Sequence, residues 1–362
     1  MASTVMDEAW ILTRFDELVD GGVVMYTEDM EKVYHEDQGF KFEFRITSAL
    51  KSKPAAVRDN AELDDDADGG ADGGGSSLRH STSPNPKVPG SGSSSSSNGT
   101  ARGVELDAGG CVPGGDISIA GYEIGLVGGG GTHILTFNKF CAYRPHLMLV
   151  TADGRRRQFE ALGGADLGAA REVLTGLHRG GGGGGGSGQE YLVIFNCGKD
   201  GGCSRLHKHM QVIPAPDAIP LWPDEIGPRP PFRYFVHRFA GPLNGGAGGD
   251  EARGMPSADE LVGVYRQMLR QAAALVPGRE GVVAGENGDG DVDDEREAAV
   301  PHNVVLGGRW MVVIPRVADG VDGAGVNAAG MLGVVWAAGR ETVDKWKGIG
   351  PRWVLEEVGV RG

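Results

Sequence analysis

Two histidines and one glutamine occupy alternate positions in a short stretch near the middle of the chain. His207, His209 and Gln211 follow a glycine-rich segment. Side chains on a β-strand alternate between its two faces, so these three residues predict a polar stripe on one face. The opposite face is apolar apart from Lys208 and would point into a core.

Three interpretations of this stripe compete, and the first is a solvated strand face with two incidental histidines. The second is a zinc site, because a His-x-His pair on a strand suits zinc and Cys197 and Cys203 are close in the sequence. Glutamine is a poor zinc ligand, however, and the cysteine spacing of six matches no common zinc finger.

The third interpretation is covalent phosphorus chemistry at a histidine. A neutral imidazole is nucleophilic near pH 7. Glycine permits close approach, so the backbone N–H groups of the loop Gly198–Ser204 can turn toward a phosphate. Gln211 can donate to a phosphate oxygen. Loop, imidazole and amide together favour a phosphoryl or nucleotidyl group bound to histidine.

The composition limits the class of protein around this stripe. The chain has 362 residues, 63 of them Gly, and a formal net charge of −14. This acidity argues against a general nucleic-acid or anionic-membrane binder. No apolar run approaches the roughly 20 residues of a bilayer span, and Met1–Trp10 lacks the basic start of a secretory signal. Four cysteines do not form a disulfide framework. We expect a cytoplasmic protein with reduced thiols, and the sequence is also compatible with a nuclear presence.

The elements that must position the stripe alternate between strand-like and helix-like blocks. Helices are predicted over Met6–Val19, after Asp166 as a cap, and after Ser257–Glu260, which forms a capping box. This order predicts an α+β sandwich with one antiparallel sheet and covering helices. Strands are predicted over Phe40–Ile46, Thr132–Phe137, His146–Thr151, Tyr191–Phe195, Leu206–Ile213, Phe232–Phe239 and Arg309–Ile314.

Three segments interrupt these blocks without defining the fold. They are residues 59–104, 180–188 and 280–297, and they are rich in Gly, Ser and Asp. Such segments lack the apolar side chains that offset ordering entropy, so they are predicted to be disordered inserts.

The stripe and its flanking blocks resemble a known family. His207-Lys208-His209-Met210-Gln211 resembles the His-x-His-x-Gln signature of the histidine-triad (HIT) superfamily in its transferase branch. The flanking blocks resemble the diadenosine tetraphosphate (Ap4A) phosphorylases of fungal type, also called ATP adenylyltransferases. These blocks are Phe42–Arg45, Ala49–Pro54, Thr132–Phe140, Pro145–Thr151, Asn196–Gly198, Arg309–Met311, Ile314–Arg316 and Asn327–Gly333.

The resemblance implies a domain organisation and an activity. It implies a HIT-like catalytic domain over residues 1–218 and an ATP adenylyltransferase C-terminal domain over 219–362. The implied enzyme is a nucleotidyltransferase that cleaves Ap4A with inorganic phosphate to ATP and ADP through a covalent adenylyl-histidine. Its expected partners are these small molecules, with no nucleic acid and no membrane.

The resemblance also assigns roles to single residues. His209 is the implied nucleophile, and His207 and Gln211 would hold the α-phosphate oxygens. Mg²⁺ is expected to arrive on the substrate polyphosphate, so no protein metal site is predicted. The other implied substrate-binding residues are Asn196 and the backbone of Gly202, Cys203 and Ser204 for phosphates and ribose, Lys53 (or Lys51) for polyphosphate charge, Thr132 and His133 for nucleotide, and Asn303 and Arg309 for the distal part of the dinucleotide.

A departure from the family loop keeps another function open. The family loop reads Ser-Gly-Ser-Ser or Ser-Gly-Ala-Ser, whereas this chain has Gly201-Gly202-Cys203-Ser204. This altered loop is the support for a non-catalytic nucleotide-binding protein. A second alternative is another HIT nucleotidyltransferase or a dinucleoside polyphosphate hydrolase. The zinc-binding cysteine pair of the uridylyltransferases is absent from the sequence, which disfavours that sister activity.

Overall fold

The fold contains one large sheet, one small sheet and a hairpin. The computed structural model describes residues 7–54, 103–180, 189–224, 229–239, 255–278 and 298–362. The strands are β1 (Glu31–Asp37), β2 (Phe40–Ile46), β3 (Glu123–Val127), β4 (His133–Phe137), β5 (Leu147–Thr151), β6 (Tyr191–Cys197), β7 (His209–Pro214), β8 (Phe235–Arg238), β9 (His302–Leu306), β10 (Trp310–Pro315), β11 (Gly320–Val321), β12 (Ala324–Gly325) and β13 (Val334–Ala337).

The large sheet has eight strands in the order β3-β4-β5-β7-β6-β9-β10-β8. Every neighbouring pair in it is antiparallel. The small sheet has the order β1-β2-β13, in which β13 runs parallel to β2. The helices are α1 (Glu8–Asp20), α2 (Gly164–Gly180), α3 (Ala258–Ala273), α4 (Ala328–Met331), α5 (Arg340–Ile349) and α6 (Pro351–Val358), and a 3-10 helix spans Ser48–Ser52.

Both faces of the large sheet are covered, which makes its central strands apolar on both sides. In β6, Val193 and Phe195 belong to a core shared with α1, α2 and α3. Leu192 and Ile194 belong to a second core, shared with α4, α5, α6 and the small sheet. The period of two along the strand therefore divides its side chains between two hydrophobic layers. The prediction of an α+β fold built on an antiparallel sheet is confirmed.

The predicted helix starts are confirmed in one case and corrected in another. The capping box exists, since Ser257 N–H donates to Glu260 Oε2 at 2.8 Å and Glu260 N–H donates to Ser257 Oγ at 3.3 Å. Asp166 does not cap α2, which begins at Gly164. Asp166 lies in the first turn, where it accepts from Gly163 N–H at 2.7 Å.

Strand boundaries differ where a side chain replaces a strand partner. The strand predicted from Leu206 begins at His209, because the N–H groups of Leu206 and His207 donate to the Asp116 carboxylate. β1 is absent from the predictions, because its sequence has no buried apolar face and its side chains are exposed or half-buried. The predicted strand Phe232–Phe239 is shorter, and β8 covers four residues.

The three predicted inserts lie mainly outside the described residues, at 55–102, 181–188 and 279–297. The first insert ends earlier than predicted, because Val104 packs in the first core. Gly180 is the last residue of α2. The domain boundary between residues 218 and 219 remains a prediction, and the large sheet takes strands from both sides of it.

Candidate active site

His209 lies where β6 and β7 separate, and a buried glutamine fills the gap between them. The strand register pairs Ile194 with Gln211 and stops before His209. Gln158 Nε2 donates to the Asn196 carbonyl and to the His209 carbonyl, both at 3.0 Å, and Gln158 Oε1 accepts from His209 N–H at 2.7 Å. Three hydrogen bonds to one amide therefore fix the backbone that carries His209.

The His209 ring is held in the tautomer that a nucleophile needs. Its Nδ1 lies 2.8 Å from the His207 carbonyl, which can only accept, so Nδ1 carries the proton and Nε2 has the lone pair. Burial lowers the pKa of His209, and the charges of Lys53 and Arg205 act in the same direction. The ring is 7% exposed, and no partner among the described residues bonds to its Nε2. A neutral imidazole with an unpaired Nε2 can attack an electrophile.

Gln211 is oriented by a histidine that sequence reasoning did not assign to the site. Ala142 N–H donates to His146 Nδ1 at 3.3 Å, so His146 Nε2 carries the proton and donates to Gln211 Oε1 at 2.9 Å. Burial lowers the pKa of His146 to about 3, which keeps the ring neutral. The Gln211 amide oxygen is therefore occupied and its NH₂ group is left to donate to a ligand. In the sequence, His146 belongs to the Pro145–Thr151 block of the family resemblance, and Leu147–Thr151 of this block form β5.

His207 faces the protein interior. Its side chain is fully buried, and its Nε2 lies 3.0 Å from the Thr151 carbonyl and 3.2 Å from the Asp153 carbonyl. Burial and the neighbouring His209 lower the pKa of His207 to about 4. This geometry supports a positioning role at the start of β7, and the predicted contact with α-phosphate is not part of it.

The glycine loop is closed onto itself and onto the C-terminal half. Gly202 N–H donates to the Lys199 carbonyl at 2.6 Å, and Cys203 N–H donates to the Gly198 carbonyl at 3.3 Å. A Cβ on Gly202, which has a φ of +83°, would lie 2.4 Å from the Val326 carbonyl oxygen, so only glycine fits there. Of the predicted cradle residues, Ser204 is the one for which no hydrogen bond to another described residue is found. We therefore place the available loop donor at Ser204.

Asn196 and Asn303 join the two halves of the chain behind this loop. Asn196 Oδ1 accepts from Asn303 Nδ2 at 3.0 Å and from Ala328 N–H at 2.8 Å. Asn303 Nδ2 also donates to the Gly201 carbonyl at 2.6 Å, and its Oδ1 accepts from Arg316 at 2.5 Å. Both asparagines are buried, so they position the loop rather than line its open side.

Arg316 is a buried organising residue that the sequence did not reveal. Its guanidinium donates to the Val358 carbonyl at 3.1 Å, the Ala318 carbonyl at 2.7 Å and the Val326 carbonyl at 3.0 Å. Burial lowers its pKa to about 9. The Pro315-Arg316 pair at the end of a predicted strand was the available signal.

Lys53 is a cation whose charge acts on the site. It lowers the pKa of both His146 and His209. Lys53 is exposed at the surface, yet partial removal of water and the neighbouring Arg205 lower its own pKa. Arg205 Nη2 lies 3.5 Å from the Pro54 carbonyl. The charges of two cations thus act on the His209 ring, as expected of a site for an anionic ligand.

Thr132, His133 and Arg309 are not brought to His209. His133 Nε2 lies 3.0 Å from Asp166 on the α2 side of the sheet, and Thr132 Oγ1 bonds to the same ring. That face is opposite to His209, because Lys208, the residue just before His209, also contacts Asp166. The Arg309 side chain is 54% exposed and forms ion pairs with Glu190 and Asp224, which lie outside the strands.

The described part of the chain shows no cluster of three or more His, Cys, Asp or Glu side chains that could hold a metal ion. All four cysteines are free thiols. No helix among the described residues is long and apolar enough to cross a membrane. The expectation that Mg²⁺ arrives with a polyphosphate therefore stays a prediction.

The sheet topology and the histidine strand beside a glycine loop define a HIT-like α+β protein. The sequence profile of the Ap4A phosphorylase N-terminal domain matches residues 128–223, and that of the ATP adenylyltransferase C-terminal domain matches residues 228–361. The chain belongs to the Ap4A phosphorylase (ATP adenylyltransferase) family.

Individual relatives agree with this assignment. The chain is 25% identical over 241 residues to the diadenosine 5',5'''-P1,P4-tetraphosphate phosphorylase 2 of Saccharomyces cerevisiae, and the alignment covers 60% of this chain and 65% of that protein. The crystal structure of yeast Ap4A phosphorylase Apa2 superposes with a TM-score of 0.60 at 17% identity, covering 99% of this chain and 98% of that chain. The Apa2 complex with Ap4A also gives a TM-score of 0.60 at 17% identity, covering 98% and 97%.

Proposed function

We propose that the protein is a nucleotidyltransferase that cleaves Ap4A with inorganic phosphate to ATP and ADP. The observation that carries the proposal is the pairing of a free His209 Nε2 lone pair with a Gln211 amide whose oxygen is already occupied. Family membership supports the substrate class, and the related Apa2 has been crystallised with Ap4A and with AMP. We further propose that the ligands are nucleotides and phosphate and that the enzyme works in the cytoplasm.

In the first step, His209 Nε2 attacks the α-phosphorus of Ap4A. The Nε2–phosphorus bond forms, the bond from that phosphorus to its bridging oxygen breaks, and ATP leaves with the bond electrons. The proton on Nδ1 stays in place, so the adenylylated imidazole carries one positive charge. In the second step, a phosphate oxygen attacks the same phosphorus, Nε2 leaves, and ADP is released.

Hydrogen-bond donors and cations near His209 would stabilise negative charge on the oxygens of the reacting phosphate. The candidate donors are the Gln211 NH₂ group and Ser204, together with the cations Lys53 and Arg205, whose charges act on His209. Preorganised donors of this kind contribute on the order of 10²–10³ each in rate. Mg²⁺ would be bound by the polyphosphate oxygens and neutralise part of their charge, without a dedicated protein site.

A product assay tests the proposal. The full chain is incubated with Ap4A and Mg²⁺ with and without phosphate, and nucleotides are separated by anion-exchange chromatography. We expect repeated turnover to ATP and ADP only when phosphate is present, and without phosphate at most one ATP per protein. ATP with AMP would instead assign a hydrolase, and an unchanged substrate would assign a non-catalytic binding protein.

The covalent step has its own test. Protein incubated with labelled Ap4A in the absence of phosphate should carry one adenylyl group, which phosphate releases as ADP. His209→Gly should carry none and lose turnover. A His209→Gly variant with full turnover would refute the covalent mechanism.

A further inference from the structure

Residues 103–122 form an irregular segment that reaches the entry of β7. The segment precedes the ranges matched by the two family profiles, which begin at residue 128. It is anchored by Ile117 and Ile119, which are buried in the first core. Its middle, Gly115-Asp116, meets the chain two residues before His209.

The Asp116 carboxylate accepts two consecutive backbone hydrogen bonds. Asp116 Oδ2 accepts from Leu206 N–H and Oδ1 accepts from His207 N–H, both at 2.9 Å. The adjacent Gly115 packs against the His207 ring so closely that a Cβ there would lie 2.5 Å from Nδ1. The segment therefore grips both the backbone and the ring of His207.

These contacts hold the His207 ring in a position where one of its nitrogens has no hydrogen-bond partner among the described residues. The Nδ1 of His207 is buried, and none of the described residues donates to it. A buried acceptor without a donor costs free energy, so other contacts must hold the ring in position. The two Asp116 hydrogen bonds supply such contacts, and each involves a charged acceptor, which makes it stronger than a neutral one.

His207 in turn determines the tautomer of the His209 ring. Its carbonyl is the acceptor that places the proton on His209 Nδ1. Among charged groups near the ring, Lys53 and Arg205 lower the pKa of His209 and Asp116 raises it. Asp116 is thus the nearby anion that favours a positive charge on the imidazole.

We propose that Asp116 is a positioning residue for His209, which fixes the acceptor of its Nδ1 proton and stabilises the positive charge of the adenylylated ring. The second half of this statement rests on the proposed function. No proton moves to Asp116: the new Nε2–phosphorus bond leaves the charge on the ring, and the carboxylate balances it across the Leu206–His207 backbone.

The test compares Asp116→Asn with Asp107→Asn in the full chain. Asp107 lies in the same segment and makes the same kind of contact, accepting from Gly109 N–H at 2.8 Å and Cys111 N–H at 2.9 Å. It therefore controls for general disturbance of the segment. Nitrogen-15 NMR of histidine-labelled protein reports the tautomer and pKa of His209, and steady-state kinetics report kcat and KM.

We expect Asp116→Asn to lower the pKa of His209, because a negative charge is removed, and to reduce the Nδ1–H tautomer. We expect kcat to fall on the order of 10–100-fold with little change in KM, as for other residues that orient a reacting group. Asp107→Asn should leave the His209 pKa, the tautomer and kcat unchanged. Asp116→Glu, which keeps the charge, should recover part of kcat.

An unchanged His209 pKa and tautomer in Asp116→Asn would overturn the proposal. Gly115→Ala is the second variant, because its new methyl group pushes the segment away from His207 while the Asp116 charge remains. Gly115→Ala should also reduce the Nδ1–H tautomer of His209. A wild-type spectrum in Gly115→Ala would contradict the proposal that contacts of this segment with His207 position His209. A wild-type protein without phosphorolysis would refute the proposed function, whereas the NMR comparison decides the role of Asp116 independently.

Discussion

At the scale of single residues, the site depends on which ring nitrogen carries each proton. His146 and Gln211 act as one unit, because the His146 Nε2–H occupies the Gln211 oxygen at 2.9 Å. We predict that Gln211→Ala lowers kcat by about 10²–10³. His146→Ala should lower kcat less, by letting the amide flip.

A double-mutant cycle checks this coupling. If His146 acts through Gln211, then His146→Ala should cost little in kcat on the Gln211→Ala background. Thermal melts of all variants separate this effect from loss of the buried ring. Additive losses in kcat would show that His146 has an independent role and would contradict the predicted unit.

The pH dependence of adenylyl transfer follows from the same rings. In the proposed reaction His209 must be neutral to attack, and burial puts its pKa below the ordinary value of 6.5. As pH falls, activity should therefore persist through 6.5 and decline only at lower pH. The acid limb of kcat/KM against pH, which reports the free enzyme, measures this. A limb centred above 6.5 would contradict the buried, neutral ring.

At the scale of elements, a buried ion cluster on the α2 side of β7 supports the strand behind His209. Lys208 Nζ donates to Asp166 Oδ2 at 2.8 Å and to the Ala161 carbonyl at 2.6 Å. Burial would raise the pKa of Asp166, but the Lys208 charge and the His133 hydrogen bond hold it well below its usual range. The buried Lys208, just before β7, is therefore satisfied by Asp166 in the first turn of α2 and by the Ala161 carbonyl.

We predict that Asp166→Asn lowers the free energy of unfolding by about 3–5 kcal/mol, because it leaves a buried ammonium without its nearest carboxylate. Asp16→Asn is the matched control, since the Arg144–Asp16 pair is exposed and such pairs contribute about 0–1 kcal/mol. Urea denaturation at pH 7 measures both. Equal losses in the two variants would contradict the importance of burial.

The sign of the pH effect provides a second check on the cluster. A depressed carboxyl pKa stabilises the fold above the unfolded value of about 3.9, and this contribution is lost as pH falls through the lower folded pKa. The difference in unfolding free energy between wild type and Asp166→Asn should therefore be full at pH 7 and shrink below about pH 4. A difference that grows on acidification would contradict it.

These elements also show what local sequence can and cannot reveal. The alternation of side chains along β7 and the capping box of α3 depend on residues close together in the sequence, and both were predicted. The cluster of Lys208 with Asp166 and the contact of Asp116 with Leu206 join residues far apart in the chain. No local periodicity signals such pairs. His133, which the family resemblance assigned to the nucleotide, contacts Asp166, and this partner likewise lies in another element.

At the scale of the whole molecule, the large sheet crosses the predicted domain boundary at residues 218 and 219. β6 pairs with β9 from Val193–Leu306 to Cys197–His302. Near the glycine loop, Asn303 of β9 connects the two strands further, because it forms hydrogen bonds with Asn196 and with Arg316. Strand pairs and buried polar contacts thus connect the N-terminal and C-terminal halves.

We predict that the full chain unfolds in one cooperative transition, because neither half can separate without exposing the apolar faces of β6 and β9. Differential scanning calorimetry should give equal calorimetric and van't Hoff enthalpies. Asn303→Ala should lower the unfolding free energy by about 1–3 kcal/mol, since it leaves buried partners unsatisfied, and should keep a single transition. Two separate transitions in the wild-type chain, with only one of them shifted by Asn303→Ala, would mean that the halves fold independently and that the shared sheet does not couple them.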